Sequence, residues 1–155
     1  MAVAITVDYN VIRNLLHGNA TLQQTQQIGH IMPLQVSWIE SPLILGIDLV
    51  ADINADEIDA LGREGVASVR RQYVYFLIDF SEVGSLPKNL VNTALRSAAL
   101  MELVNHENAR YFVFVKPPAS ARQMIDMVFR TVSHRIMDDR GDAIAYLRDT
   151  VIPGE

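Results

Sequence analysis

Residues 73–80 spell YVYFLIDF, a continuous run of β-branched and aromatic side chains that ends in Asp79 and Phe80. Polar and apolar residues do not alternate here, as they would in a strand with one face in water. Such a run predicts a central strand that other elements cover on both faces. The stretch therefore indicates an α/β layered fold and gives the starting point for the rest of the chain.

The segments on either side of this run alternate between β-prone runs and helical patterns. The predicted elements are a hairpin over 35–50 that turns at Ser41-Pro42, a helix capped by Asn54, a helix over 86–104, a strand over 111–115, a helix capped by Ser120, an edge strand over 135–137 and a helix over 139–151. The order β-β-α-β-α-β-α-β-α predicts a mixed, mostly parallel sheet flanked by helices, with an antiparallel edge.

The first 33 residues differ in composition from the rest of the chain. They contain one basic side chain, Arg13, one acidic side chain, Asp8, and a glutamine-rich patch over 23–27, and Pro33 then breaks the chain. We expect residues 1–33 to be an extension that packs on the domain or on a partner, with a homo-oligomer as one outcome. Residues 34–155 are expected to form a single domain.

Composition excludes several classes of protein. The formal net charge of −5 argues against a general nucleic-acid binder, and the lack of cysteine excludes disulfides, thiol nucleophiles and cysteine-ligated metals. No apolar run approaches the roughly 20 residues of a membrane span. The N-terminus lacks the basic and apolar pattern of a signal peptide. A cytoplasmic protein without a membrane span is therefore expected.

Motifs for cofactor or metal chemistry are absent from the sequence. It contains no glycine-rich phosphate loop and no Gly-x-Ser-x-Gly elbow, and its four histidines lack metal-binding spacing. We therefore predict no cofactor, no metal and no catalytic residue set. Gly62 and Gly65 indicate close packing of a helix on the sheet, and Asp138-Asp139 are interpreted as caps of the last helix.

Asp79 is the most informative acidic residue, because it closes the apolar run. The carboxyl ends of parallel strands line binding crevices, which favours a role in a site. An aspartate in this place also commonly accepts backbone N–H bonds in the turn that follows. Both interpretations stay open from the sequence.

The segment FLIDFSEV at 76–83, followed by a short turn and a helix from Leu86, resembles the core signature of the STAS domain. The similarity is greatest to the SpoIIAA-like branch, also called STAS/SEC14-like in bacterial genomes, and a first strand that carries Trp38 agrees with it. It spans residues 34–151. The resemblance implies a SpoIIAA-like fold and a non-catalytic antagonist that binds a kinase-type anti-sigma regulator.

Antagonists of this family are switched by phosphorylation of a serine in the pattern Asp-Ser-Ser-Gly at a helix start. Alignment through Asp79 brings the sequence Pro87-Lys88-Asn89-Leu90 onto that pattern, so neither phosphoacceptor position carries a hydroxyl. The resemblance therefore implies a partner-binding module without the usual serine switch. Ser85 is either a displaced phosphoacceptor or the N-cap of the following helix.

The predicted partner surface covers residues 81–90 and the neighbouring helix from Ala119 onward. Lys88 places a cation at a helix start, where the helix dipole disfavours it, and this position suggests an anion site or contact with an acidic partner. The predicted partner-binding residues are Asp79, Ser81, Ser85, Lys88 and Asn89.

Three other functions remain possible from the sequence. A lipid or small apolar ligand of the SEC14-like type would need a cavity, which Met101, Met124, Met127 and Phe129 could line. The chain could also be a structural subunit of an assembly. An enzyme would have to use Asp79, Ser81 or His106, whose spacing shows no nucleophile–base arrangement, so a non-enzyme is predicted.

Overall fold

A computed structural model describes residues 33–155 of the chain. The extension predicted over residues 1–33 lies outside this part except for Pro33. The carbonyl oxygen of Pro33 accepts a 2.8 Å hydrogen bond from the backbone N–H of Val50. Within residues 33–155, no helix is long and apolar enough to cross a membrane.

A single five-stranded sheet forms the centre of the domain, and its strands lie side by side in chain order. The first strand pairs antiparallel with the second, and all other neighbours are parallel. The mixed, mostly parallel sheet with an antiparallel edge is thus confirmed. The strands are β1 Leu34–Glu40, β2 Ile44–Ala51, β3 Val74–Val83, β4 Ala109–Val115 and β5 His134–Met137.

Helices connect the parallel strands, because parallel neighbours need a crossover connection that is usually helical. They are α1 Ala55–Val69, α2 Leu90–Arg96, α3 Ala98–Val104, α4 Ala119–Val128 and α5 Arg140–Tyr146, which a π-helical turn over Leu147–Val151 continues. The predicted element order holds, apart from one additional helix.

Strand β3 shows how the helices divide between the two faces of the sheet. Phe76 and Ile78 point into a large core that includes buried residues of α1, α2, α3 and α4. Tyr75 and Leu77 point to the other face, where α5 and its π-helical turn contribute Ala143 and Leu147 to a smaller core. Because side chains alternate along a strand, Asp79 also lies on the face that α5 covers.

The prediction of a single helix over 86–104 is wrong, because the helical conformation is interrupted at Ser97. Ser97 has an extended backbone, and its hydroxyl accepts a 3.2 Å hydrogen bond from the N–H of Leu100. The same hydroxyl donates to Asp59 of α1 at 2.9 Å. Ser97 is therefore the N-cap of α3 and is fixed by a contact across the helix layer.

The two glycines of α1 pack closely, but not against the predicted partner. A Cβ atom at Gly62 would lie 2.3 Å from the backbone nitrogen of Leu100, and one at Gly65 would lie 2.3 Å from the side chain of Leu103. Both contacts are with α3. The prediction that these glycines pack against the sheet is wrong, because the interruption at Ser97 lets α3 pack against α1.

The predicted caps at Asn54 and Asp139 are confirmed, and the predicted cap at Ser120 is wrong. Asn54 accepts hydrogen bonds from the N–H groups of α1, and the Asp139 side chain accepts one from the N–H of Asp142 at 2.9 Å. Helix α4, however, begins at Ala119 after Pro118, so Ser120 lies inside its first turn and does not cap it. The fixed φ of Pro118 starts this helix without a side-chain cap.

Candidate partner-binding site

Of the predicted site residues, Asp79 and Ser81 lie in the carboxyl half of β3. Ser85, Lys88 and Asn89 follow the strand, and the set as a whole is divided between the two faces of the sheet. Asp79 lies inside β3, which continues to Val83, so the prediction that it closes the strand is wrong. It pairs in register with Asp48 of the parallel strand β2. Its side chain has a relative exposure of 10%. Two carboxylates therefore lie side by side on the face covered by α5.

Arg140, the first residue of α5, forms ion pairs with both carboxylates. One guanidinium nitrogen donates to Asp48 and, at 3.1 Å, to Asp79. The second oxygen of Asp79 accepts hydrogen bonds from the hydroxyl and, at 2.8 Å, the N–H of Ser81. The side chain thus combines an ion pair with the Asx turn that the sequence suggested.

The electrostatics of Asp79 follow from these contacts. Burial opposes the charged form, but the hydrogen bonds from Ser81 and the guanidinium of Arg140 outweigh it, so the pKa of Asp79 lies below its usual value. For Arg140, burial is likewise outweighed by the two carboxylates, and its pKa is raised. Asp79 and Arg140 are therefore ionised at neutral pH.

An open pocket of about 240 Å³ surrounds these groups; we call it the Asp79 pocket. It is lined by Gln35, Asp48, Leu49, Val50, Asp79, Ser81, Glu82 and Arg140. Its deeper charges are already paired with one another. The ion pairs of Arg140 in this pocket thus connect α5 with β2 and β3. Glu82, which also lines the pocket, is exposed.

Hydrogen bonds connect the loop after β3 with the end of β2 and the loop that follows it. The N–H of Gly84 donates to the carbonyl oxygen of Ala51 at 2.7 Å, and the N–H of Ser85 donates to the Asp52 carboxylate at 2.8 Å. This backbone hydrogen bond is the main reason that the pKa of Asp52 is lowered. A Cβ atom at Gly84 would lie 2.3 Å from Asp52 Oδ1, so only glycine allows this approach.

Ser85 is not the N-cap of α2, contrary to one of the two predictions for it. Helix α2 begins at Leu90, and the residue in the cap position is Asn89, whose side chain makes no capping hydrogen bond. The chain between Ser85 and Leu90 is an exposed loop that contains Pro87. A proline disfavours helix formation at the residue before it, which explains why α2 starts later than predicted.

Lys88 and Asn89 are exposed and lie at the start of α2, on the face opposite the Asp79 pocket. With Ser120 and Gln123 of α4 they line an open pocket of about 160 Å³, completed by Leu90, Val91 and Asn92. We call it the Lys88 pocket. The structure therefore brings the start of α2 and the first turns of α4 together, and it separates Lys88 and Asn89 from Asp79 and Ser81.

Sequence reasoning missed Arg140, although a signal for it was present. The argument that singled out Lys88, a cation at a helix start that the dipole disfavours, applies equally to Arg140. Asp48 carried a similar signal, because it interrupts the apolar run over 43–50. A charge in an otherwise buried strand needs a partner, and Arg140 is that partner.

The residues considered for an enzyme do not all lie together in the structure. Residues 33–155 contain no group of three or more histidine, aspartate or glutamate residues that could hold a metal ion. His106 precedes β4 and accepts a hydrogen bond from the N–H of Asn108, so it lies at the amino end of the parallel strands. Asp79 and Ser81 lie near the carboxyl end, at the opposite edge of the sheet.

Within residues 33–155, a small apolar cavity lies beside two of the residues predicted to line a lipid site. Met124 and Phe129 border a space of about 20 Å³, comparable to one water molecule. Met127 is 55% exposed and points away from it. Pockets for drug-sized ligands measure about 300–1,000 Å³, so this cavity is too small for such a ligand.

Two solved structures are similar to this chain. One is the anti-sigma factor antagonist SpoIIAA in its unphosphorylated form, with 16% identity over 75% of this chain and 98% of that chain and a TM-score of 0.48. The other is an uncharacterized protein of the DUF3478 family with a SpoIIAA-like fold from Shewanella loihica PV-4, with 13% identity over 74% and 91% of the two chains and a TM-score of 0.50. No family model and no curated protein matches the sequence.

Proposed function

We propose that this SpoIIAA-like domain is a non-catalytic regulatory or adaptor module that binds a protein partner through residues 81–90 and the start of α4. The likeness to the solved structures establishes the fold alone, so the function rests on the site. The observation that carries it is the Lys88 pocket, in which exposed groups of two helix starts form one concave surface.

Binding at this surface is proposed to work without a serine switch. Lys88 and Asn89 have no hydroxyl, and Ser85 is bound through its N–H to Asp52. A phosphate on Ser85 would stand beside the carboxylate of Asp52, and like charges at such a distance repel.

The resemblance to the antagonist family suggests a kinase-type or anti-sigma regulator as the partner, in the cytoplasm of a bacterium. Residues 1–33, which precede β1, are proposed to add contacts with the partner or with a second copy of the chain. The domain proper is proposed to comprise residues 34–155.

Filling the Lys88 pocket tests this function. Asn92→Trp and Gln123→Trp place large side chains at its rim, and each should reduce stable capture of the partner by the tagged full-length chain about tenfold, as loss of a central interface contact does. The measurement is quantitative mass spectrometry of the captured proteins. Thr150→Trp, an exposed position on the π-helical turn that follows α5, is the matched control.

Either of two results would contradict binding at this surface. If the wild-type chain captures no protein in stoichiometric amount, or if the two pocket variants capture as much as Thr150→Trp, the partner does not bind at this surface. Circular dichroism of all three variants shows whether the fold is kept.

A further inference from the structure

The charges of this acidic chain are unevenly distributed. Residues 84–100 and 116–133, which contain α2 and α4, carry five basic side chains and one acidic side chain, Asp126. The remaining residues carry eight basic and seventeen acidic side chains. The basic residues are Lys88, Arg96, Lys116, Arg122 and Arg130, and all are exposed. We call this region the α2–α4 surface.

The cations of the α2–α4 surface have no anionic partner within residues 33–155. The arginines that form ion pairs there are Arg63, Arg110, Arg140 and Arg148, and all lie outside this surface. Of the five cations, Arg122 donates one hydrogen bond, from Nε to the carbonyl oxygen of Pro117 at 3.2 Å. The positive charge is therefore available to a partner.

Two exposed apolar side chains lie along the same surface. Leu95 is 47% exposed and Met127 is 55% exposed. Leu95 follows Asn92 by three residues and Met127 follows Gln123 by four, and such spacings place side chains on the same helix face. Because Asn92 and Gln123 both line the Lys88 pocket, Leu95 and Met127 face the same groove, one turn further along.

The two helices run side by side in the same direction, because each follows one of two neighbouring parallel strands and they pack on each other. The groove between them is thus polar at its start, apolar one turn on, and flanked by unpaired cations. We infer that it binds an acidic protein surface with an apolar centre. The inference rests on the proposed function and adds the chemistry of the partner.

A protein fits this surface better than a membrane or a nucleic acid does. The large buried side chains of α2 and α4 point into the core, so only Leu95 and Met127 could insert into lipid. The exposed aromatic side chains Trp38 and Tyr73 lie elsewhere, so the groove lacks a platform on which bases would stack. Opposite charge speeds association with a protein, and buried apolar contacts slow its dissociation.

Photo-crosslinking identifies what occupies the groove. Benzoylphenylalanine replaces Leu95 or Met127 in the full-length chain, and Tyr73, an exposed position at the amino edge of the sheet, is the control. We expect crosslinks from 95 and 127 to a protein segment with a net negative charge, and few from 73. Arg96→Glu with Arg122→Glu should lower the yield about tenfold, and so should high salt. Arg71→Glu, a charge reversal outside the α2–α4 surface, should leave the crosslinking yield unchanged.

Several results would overturn the inference. These are a crosslinked segment that is neutral or basic, crosslinks to lipid or nucleic acid, a yield insensitive to Arg96→Glu with Arg122→Glu, or no crosslink from either position. If Asn92→Trp and Gln123→Trp still reduce capture about tenfold in these cases, the proposed function stands, and the inferred chemistry of the groove and of its occupant is wrong. Arg96→Gln with Arg122→Gln, which removes charge without reversing it, replaces the double reversal if that variant does not fold.

Discussion

The Asp79 pocket and the α2–α4 surface lie on opposite faces of one sheet and use charge in opposite ways. In the Asp79 pocket, Arg140 is held between two carboxylates, and each of these three groups has a partner on a neighbouring element. On the α2–α4 surface, five cations have none among residues 33–155. The first arrangement joins parts of the fold, whereas the second leaves charge for an outside molecule.

This difference indicates how a charged residue in a small α/β domain can be interpreted. Half-buried ions that pair across secondary-structure elements contribute to folding, because loss of one leaves the others without compensation. Exposed unpaired ions contribute little to folding and act through association. The two regions should therefore respond to mutation in opposite assays.

Arg140→Met gives the largest expected loss of stability. It leaves Asp48 and Asp79 adjacent in neighbouring strands without a cation. Removing one partner of a buried ion pair costs about 3–5 kcal/mol, and the partial exposure of Arg140 reduces this to about 2–3 kcal/mol. Urea denaturation at pH 7 measures the change. The matched control is Arg148→Met, whose exposed ion pair with Glu40 should contribute at most about 1 kcal/mol.

The pH dependence of this loss identifies its cause. Because the pKa of Asp79 is lowered in the folded protein, its contribution is complete above its unfolded value of about 4 and is lost as the pH falls through the folded value. The deficit of Arg140→Met should therefore be full at pH 6 and shrink toward pH 3. An equal deficit at both values would mean that the packing of the arginine, and not its charge, stabilises the fold.

Ser97→Ala is expected to have the next largest effect, and it concerns the side of the sheet that carries the α2–α4 surface. The variant loses the N-cap of α3 and the hydrogen bond to Asp59, which should lower the free energy of unfolding by about 1–2 kcal/mol. Thermal and urea denaturation measure it. Ser120→Ala should change stability by less than about 0.5 kcal/mol, because this serine caps no helix. Similar losses in both variants would contradict the role of the cap.

Much of the fold could be predicted from the sequence, because the dominant patterns are local. The apolar run over 73–80 and the cap at Asn54 gave the central strand and α1. The break at Ser97 could not be found in this way, since the apolar spacing over 90–104 fits one continuous helix. Its cause is the contact of Ser97 with Asp59 and the approach of α3 to Gly62, both of which depend on tertiary structure.

The site was predicted less completely, and for the same reason. The structure places Lys88 beside the first turns of α4, and binding at this surface stays a prediction. What the sequence did not show is which face of the sheet each residue occupies. The alternation within β3 sends Asp79 toward α5, whereas the crossover to α2 carries Lys88 to the other face. Arg140, 61 residues after Asp79, completes the pocket only in the folded chain.

The smallest expected effect on stability belongs to the cations of the α2–α4 surface. Arg96 lies in the last turn of α2, where the helix dipole favours a cation, so Arg96→Glu should cost about 0.3–1 kcal/mol. Arg122→Glu places a carboxylate near the start of α4, where the dipole favours it, but it loses the hydrogen bond to Pro117 and adds a like charge one turn before Asp126, so its net effect should be close to zero. Urea denaturation of the double variant should therefore match the wild type within about 1 kcal/mol, although the same variant should lose about tenfold in crosslinking to its partner. A loss of stability well above 1 kcal/mol would mean that these charges stabilise the fold, as those of the Asp79 pocket do. The contrast between the two faces of the sheet would then be wrong.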